Sequence, residues 1–151
     1  MDPQHPNHPR LDELFRGDGF ARLLGAELQD WGGGWARVGW TPDEQHVNFG
    51  GVVHGGAVFG LGDYAFAVAS NSWGRVAVAL TVDVQFLRGV QPGVALTAEA
   101  RERSRSRRTG AYLIEVHDPD QLVASLHAMV YRIDGWHLGE DAWDEGWRTS
   151  N

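Results

Sequence analysis

Asp63 is the only acidic residue between Glu44 and Asp83, and its surroundings are apolar. Ala57-Val58-Phe59-Gly60-Leu61-Gly62 precedes it and Tyr64-Ala65-Phe66-Ala67-Val68-Ala69 follows. Burying a lone carboxylate costs several kcal/mol, so such a group is paired, protonated or placed at a cavity. As a site it could take a proton from water or attack an electrophile; as structure it could hold a hydrogen bond. Upstream, His54-Gly55-Gly56 opens the same apolar run. Two glycines at a helix start leave backbone N–H groups uncovered, which suits an anion or a developing oxyanion, or else simply makes a tight turn.

The spacing of these groups decides something about their use. Gly55 and Asp63 are eight residues apart, roughly 12 Å along a helix at ~1.5 Å per residue. They cannot act on one reacting atom within a single chain. Two such helices related by a two-fold axis could bring Gly55 of one beside Asp63 of the other. Chemistry here requires a dimer.

Other elements must hold that helix in place. Leu11–Leu24 reads as a short helix interrupted by Gly17 and Gly19, and Ala26–Trp40 as two extended pieces around Gly32-Gly33-Gly34. A loop follows over Thr41–Val53, then the long apolar helix over 54–73. Val76, Val78, Leu80, Val82 and Val84 alternate with Ala77, Ala79, Thr81, Asp83 and Gln85, the period of a strand. Val94–Arg101, Ala111–His117 and Leu122–Ile133 are similar runs with short links, which favour antiparallel neighbours. A helix that is apolar nearly all round must be enclosed, and a curved antiparallel sheet wrapped around it does so. The fold class expected is α+β.

Composition narrows the function. The chain has 151 residues with 42% hydrophobic and 22% charged, enough for one packed domain. No Cys excludes thiol catalysis and Cys-rich zinc sites; no Lys excludes Schiff-base and P-loop lysines. A net charge of -7 argues against a general nucleic-acid binder. No G-x-S-x-G elbow occurs. His46 and His54 lack a third metal ligand, His5 and His8 form only a faint tract, and His127 reads as a core or interface histidine. Neither metal nor cofactor is expected.

The apolar stretch Val52–Ser70 contains His54, Asp63 and four glycines, so no membrane span is expected. Met1–Arg10 lacks the apolar centre of a signal peptide, which points to the cytoplasm. Residues 1–10 are expected as a flexible arm, 11–135 as the domain, and 136–151 as an acidic tail carrying Trp136, Trp143 and Trp147. That tail packs on the surface, packs on a partner, or stays weakly ordered. Arg101, Arg103, Arg105, Arg107 and Arg108 form a local basic cluster, either a solvated hairpin or a phosphate-recognising one.

The run Asn48-Phe49-Gly50-Gly51-Val52-Val53-His54-Gly55-Gly56, then Asp63 and Ala65–Ser72, resembles the hotdog-fold thioesterases of the phenylacetate-degradation (PaaI-like) group. Phe86-Leu87-Arg88 and Arg107-Arg108-Thr109-Gly110-Ala111-Tyr112 resemble it too, and the likeness spans roughly residues 12–133. The resemblance implies a hotdog fold, dimers paired into tetramers, and hydrolysis of acyl-CoA thioesters such as phenylacetyl-CoA or hydroxyphenylacetyl-CoA. It makes Asp63 the catalytic carboxylate and Gly55 the N–H donor to the carbonyl. Asn48 would orient water or substrate, and His54 would shape the helix start. Group members commonly carry Ser or Thr on the next strand facing the acid; here Thr81 is chosen over Ala79, as sharing its strand face. The resemblance assigns Arg88, Arg107, Arg108 and Thr109 to the CoA phosphates, and Gly89 replaces a usual Pro. A CoA-thioester hydratase or dehydratase and a non-catalytic acyl-CoA sensor are the rival readings.

Overall fold

The computed structural model describes residues 1–2 and 5–151. The expected first helix is two: α1 (His8–Arg16) and α2 (Gly19–Leu24). The break falls where Asp18 caps α2, its carboxylate accepting from the Ala21 N–H at 2.8 Å. β1 (Glu27–Gly32) and β2 (Trp35–Trp40) form a hairpin, and Gly34 takes the positive φ of 77° that the turn requires. The apolar run is α3 (Gly55–Asn71). β3 (Arg75–Phe86), β4 (Leu96–Arg105), β5 (Thr109–His117) and β6 (Leu122–Trp136) follow. A short last helix, α4 (Glu145–Ser150), closes the chain.

All six strands form one antiparallel sheet in the order β1-β2-β4-β5-β6-β3. The sheet wraps α3, which touches every strand. Leu61, Ala65 and Val68 of α3 are buried with Val38, Ala98, Ala100, Ile114, Val116, Leu126 and Val130. Close approach depends on small residues: a Cβ at Gly62 would lie 3.2 Å from Leu126 Cδ2. The pattern predicts this curved antiparallel sheet around one helix, and the resemblance implies its hotdog architecture. Among the described residues no helix is long and apolar enough to cross a membrane.

The N-terminal end differs from expectation, and the C-terminal end takes one of the alternatives left open for it. Within the flexible arm expected over 1–10, α1 already starts at His8, and Asn7 is buried with its amide donating to the Ala142 carbonyl at 2.8 Å. Imidazole rings dock on indoles. His8 stacks on Trp31 at 4.1 Å and His5 on Trp143 at 5.5 Å. The C-terminal tail packs on its own chain: Trp143 is only 3% exposed, and the Trp147 indole N–H donates to the Trp73 carbonyl at 2.9 Å. The packed unit therefore extends beyond both ends of 11–135.

Candidate active site

The helix N-terminus is built by its cap. His54 is extended, and its Nδ1 accepts the Gly56 N–H at 2.9 Å. Its carbonyl takes the N–H groups of Ala57 and Val58. Gly55 is left as the amide of this turn with no acceptor among the described residues. It carries the positive end of α3. The Phe86 ring lies 3.4 Å from where a Gly55 Cβ would be, so a side chain would crowd the donor's flank. His54 thus holds the expected position beside Gly55, acting through Gly56.

Asp63 lies midway along α3, half-buried, and no described residue hydrogen bonds or ion-pairs with its carboxylate. Burial raises its pKa above the ordinary carboxylate value, and the nearby Asp18 charge raises it further. Asp18 owes its place to the tight packing of α2 on α3, where a Cβ at Gly60 would meet Phe20 at 2.8 Å. Its helix-capping position was readable in the sequence, but its nearness to Asp63 was not. An unpaired carboxylate with a raised pKa is suited to accepting and returning a proton.

Asn48 is committed locally. Its Oδ1 accepts from Gly50 N–H at 2.8 Å and Val52 N–H at 3.4 Å, stapling the loop before the helix. Only its amide NH2 is left to meet water or substrate.

Thr81 is a correction. Ala79 pairs with Val130 but Thr81 with Met129, so Leu80 is an extra residue in β3. Directly opposed residues share a sheet face. Val130 is buried and Met129 is 41% exposed, so Thr81 points to the face away from α3. Ala79 takes the helix side and has no hydroxyl. The bulge ended the alternation on which the choice rested. His127, read as a core or interface histidine, is exposed on the outer face opposite Asp83, which excludes the core and leaves the interface.

The arginines divide into two groups. The Arg88 N–H donates to the Val123 carbonyl, while the Arg132 N–H donates to the Arg108 carbonyl. Val123 and Arg132 are nine residues apart on β6, roughly 30 Å at ~3.3 Å per residue. Arg88 therefore sits at the other end of the sheet from Arg107 and Arg108, and one chain does not gather them. Thr109 spends its hydroxyl on Ser106 Oγ at 2.9 Å, which shapes the turn that presents Arg107 and Arg108. Arg108 is anchored to Asp134 at 3.1 Å, and Arg107 is exposed. Among the described residues, no group of three His, Cys, Asp or Glu side chains could hold a metal ion.

The signature of the Thioesterase superfamily matches residues 50–125, from the loop before α3 through the start of β6. The acyl-coenzyme A thioesterase PaaI of Escherichia coli K12 is 38% identical over 128 residues, covering 84% of this chain and 91% of the relative. The chain belongs to the thioesterase superfamily. The solved structure of E. coli PaaI, from the phenylacetic acid degradation operon, superposes on this PaaI-like thioesterase-superfamily chain with a TM-score of 0.80. It is 36% identical and covers 83% of this chain and 91% of its own. A point mutant of the phenylacetic acid degradation protein PaaI from Thermus thermophilus gives a TM-score of 0.75 at 36% identity, covering 77% of this chain and 100% of its own. The superfamily signature includes both Gly55 and Asp63.

Proposed function

We propose that this chain hydrolyses acyl-CoA thioesters to a free acid and CoA, in active sites shared by two copies of the chain. The observation that carries this reading is the pair of unsatisfied groups on α3, the Gly55 N–H and the Asp63 carboxylate. The thioester carbonyl accepts from the Gly55 N–H of one protomer. Asp63 of its partner takes a proton from water, and the water oxygen bonds to the carbonyl carbon. The tetrahedral oxyanion, held at the helix N-terminus, then collapses. The C–S bond breaks, and Asp63 returns the proton to the leaving thiolate. No metal or redox cofactor takes part in these steps.

Dimerisation has support in the exposed surface. β3 is an outermost strand of twelve residues, paired only with β6 among the described residues, and its Val78, Leu80 and Phe86 are exposed. A long apolar edge of this kind is a template for pairing with a second copy. Phe20 at 54%, Leu23 at 80% and fully exposed Phe49 add apolar surface near α3. A two-fold axis would also join the two arginine groups, bringing Arg88 of one protomer toward Arg107 and Arg108 of the other. We place the enzyme in the cytoplasm, as dimers paired into tetramers, acting on aryl-acetyl thioesters such as phenylacetyl-CoA or hydroxyphenylacetyl-CoA. Thiol release across a panel of aliphatic and aryl-acetyl CoA esters tests this reading. Fastest release from the aryl-acetyl members supports it, and no release from any ester contradicts it.

A further inference from the structure

The sheet leaves one stripe of α3 uncovered, on which Asp63, Ala67 and Asn71 recur at four-residue spacing; Ala67 is exposed and the other two partly so. Past Asp63, a cavity of about 300 Å³ opens between this stripe, the end of α1 and the start of β3. Leu14, Phe15, Val68 and Val76 give it apolar walls, and its volume is at the small end of ligand sites, which run ~300–1,000 Å³. Asn71 marks its far end, roughly 12 Å from Asp63 along the axis at ~1.5 Å per residue. His137 lines the same end. This histidine comes from the C-terminal segment, beyond residues 50–125 that carry the superfamily signature.

The polar side chains of this cavity have spent their donors. Asn71 gives its amide hydrogens to the Ala67 carbonyl at 3.0 Å and the Ala77 carbonyl at 3.2 Å, and its Oδ1 accepts the Ala77 N–H at 2.8 Å. That orientation decides the imidazole beside it. His137 Nε2 lies 2.8 Å from the same Oδ1, so Nε2 carries the hydrogen. Burial lowers the His137 pKa, which keeps the ring neutral and leaves Nδ1 a bare acceptor. Nδ1 has no partner among the described residues, nor is it sealed from solvent. The Tyr64 hydroxyl donates to the Phe15 carbonyl at 2.9 Å, and the exposed Asp18 is a carboxylate. What these four side chains still offer is acceptors only.

We propose that His137 determines which acyl group this cavity takes, by accepting a hydrogen bond at Nδ1 from a donor at the end of the group away from the thioester. The proposal rests on the thioesterase reading for its substrate: with the carbonyl beside Asp63, the acyl group follows the exposed stripe toward Asn71. A hydroxyl on an aromatic ring meets both demands of the cavity, an apolar body and a donor at the far end. A terminal carboxylate or phosphate has no donor to offer, and Asp18 repels it. An unsubstituted ring leaves Nδ1 unpaired behind it, and a site built to hydrogen bond a hydroxyl discriminates against the analogue lacking one.

His137→Phe keeps a ring and removes both nitrogens, while Asn71 Oδ1 retains the Ala77 N–H. In this variant kcat/KM for 4-hydroxyphenylacetyl-CoA should fall about fivefold or more relative to phenylacetyl-CoA, the loss of one hydrogen bond. A second readout needs no turnover: p-cresol and toluene are titrated into the full chain and followed by NMR. Wild type should bind p-cresol at least about fivefold more tightly than toluene, with a shift of the His137 Nδ1 signal. His137→Phe should reverse the order, because an apolar cavity penalises an unpaired hydroxyl. Circular dichroism verifies the fold. If His137→Phe does not fold, Ala67→Leu, a change at an exposed helical position, should weaken both probes about tenfold by filling the cavity. Equal or weaker p-cresol binding in wild type, a preference kept by folded His137→Phe, or unchanged binding by Ala67→Leu overturns the assignment. If wild type hydrolyses neither ester, the thioesterase reading fails, and the probe titration alone decides whether His137 is the acceptor of this cavity.

Discussion

Gly55 and Asp63 share one helix, eight residues apart, and each presents an unsatisfied group: an N–H at the first turn and a carboxylate midway along. The separation, roughly 12 Å along the axis, prevents both from touching one carbonyl within a chain. Most of the helix is buried, and the exposed apolar side chains of Phe20 and Phe49 lie on neighbouring segments. The proposed mechanism therefore calls for a second copy of the chain in the catalytic unit.

Asp63→Asn is expected to abolish thiol release and to leave the fold intact. Its stability effect has a defined sign. The folded pKa of Asp63 is raised by burial and by Asp18. Below about pH 4, the ordinary carboxylate value, folded and unfolded chains both hold the proton and the residue costs nothing. As pH rises from there to the raised folded value, the unfolded chain ionises first and the folded state loses stability. The Asn variant escapes this loss, so its melting temperature should equal or exceed wild type at neutral pH. That gain should vanish as pH falls to about 4. The acid limb of kcat/KM in wild type should lie above the ordinary carboxylate value. Wild-type turnover by Asp63→Asn removes the residue from the mechanism.

Replacing Arg107 and Arg108 with Ala should raise KM for CoA esters about tenfold with a much smaller change in kcat, since remote phosphate contacts hold ground and transition states alike. The effect should shrink as salt rises. The fold should tolerate the change. Arg107 is exposed, and Arg108 gives up only a half-exposed ion pair with Asp134, which keeps its bond to Arg75. Steady-state kinetics at two ionic strengths provide the check, and identical kinetics before and after would make the arginines a solvated face.

Trp143→Ala should destabilise the chain by about 3–5 kcal/mol, because this indole is 3% exposed, donates to the His137 carbonyl at 2.8 Å and stacks on His5. Urea denaturation measures it. A loss below about 1 kcal/mol, the size of a surface change, would mean that the tail is not part of the cooperative unit.

Much of this molecule was readable from its residues, and the exceptions have physical causes. The period of two located the strands, and the continuous apolar run located α3, because both are local patterns. Thr81 was misplaced because one bulged residue, Leu80, reverses every later side chain on β3, and alternation alone does not reveal a bulge. The docking of His5 and His8 on Trp143 and Trp31 was hidden for a different reason: these contacts join distant segments and leave no periodic trace. Arg132 did leave a trace. It has the same parity on β6 as the buried Leu126, Ala128 and Val130, so an inward-facing cation could have been read from the strand pattern.

The shared site is tested most directly by complementation between two inactive proteins, Asp63→Asn and Gly55→Pro. Proline is accommodated at a first helical position and deletes the Gly55 N–H. Each homodimer lacks one required group in both of its sites. In a mixed dimer one site carries both defects and the other carries neither. Co-refolding equal amounts, with subunit exchange verified, should restore activity to roughly one quarter of wild type, because half of randomly paired dimers are mixed and each holds one intact site. Verified mixed dimers that release no thiol from any CoA ester accepted by wild type would contradict the shared site.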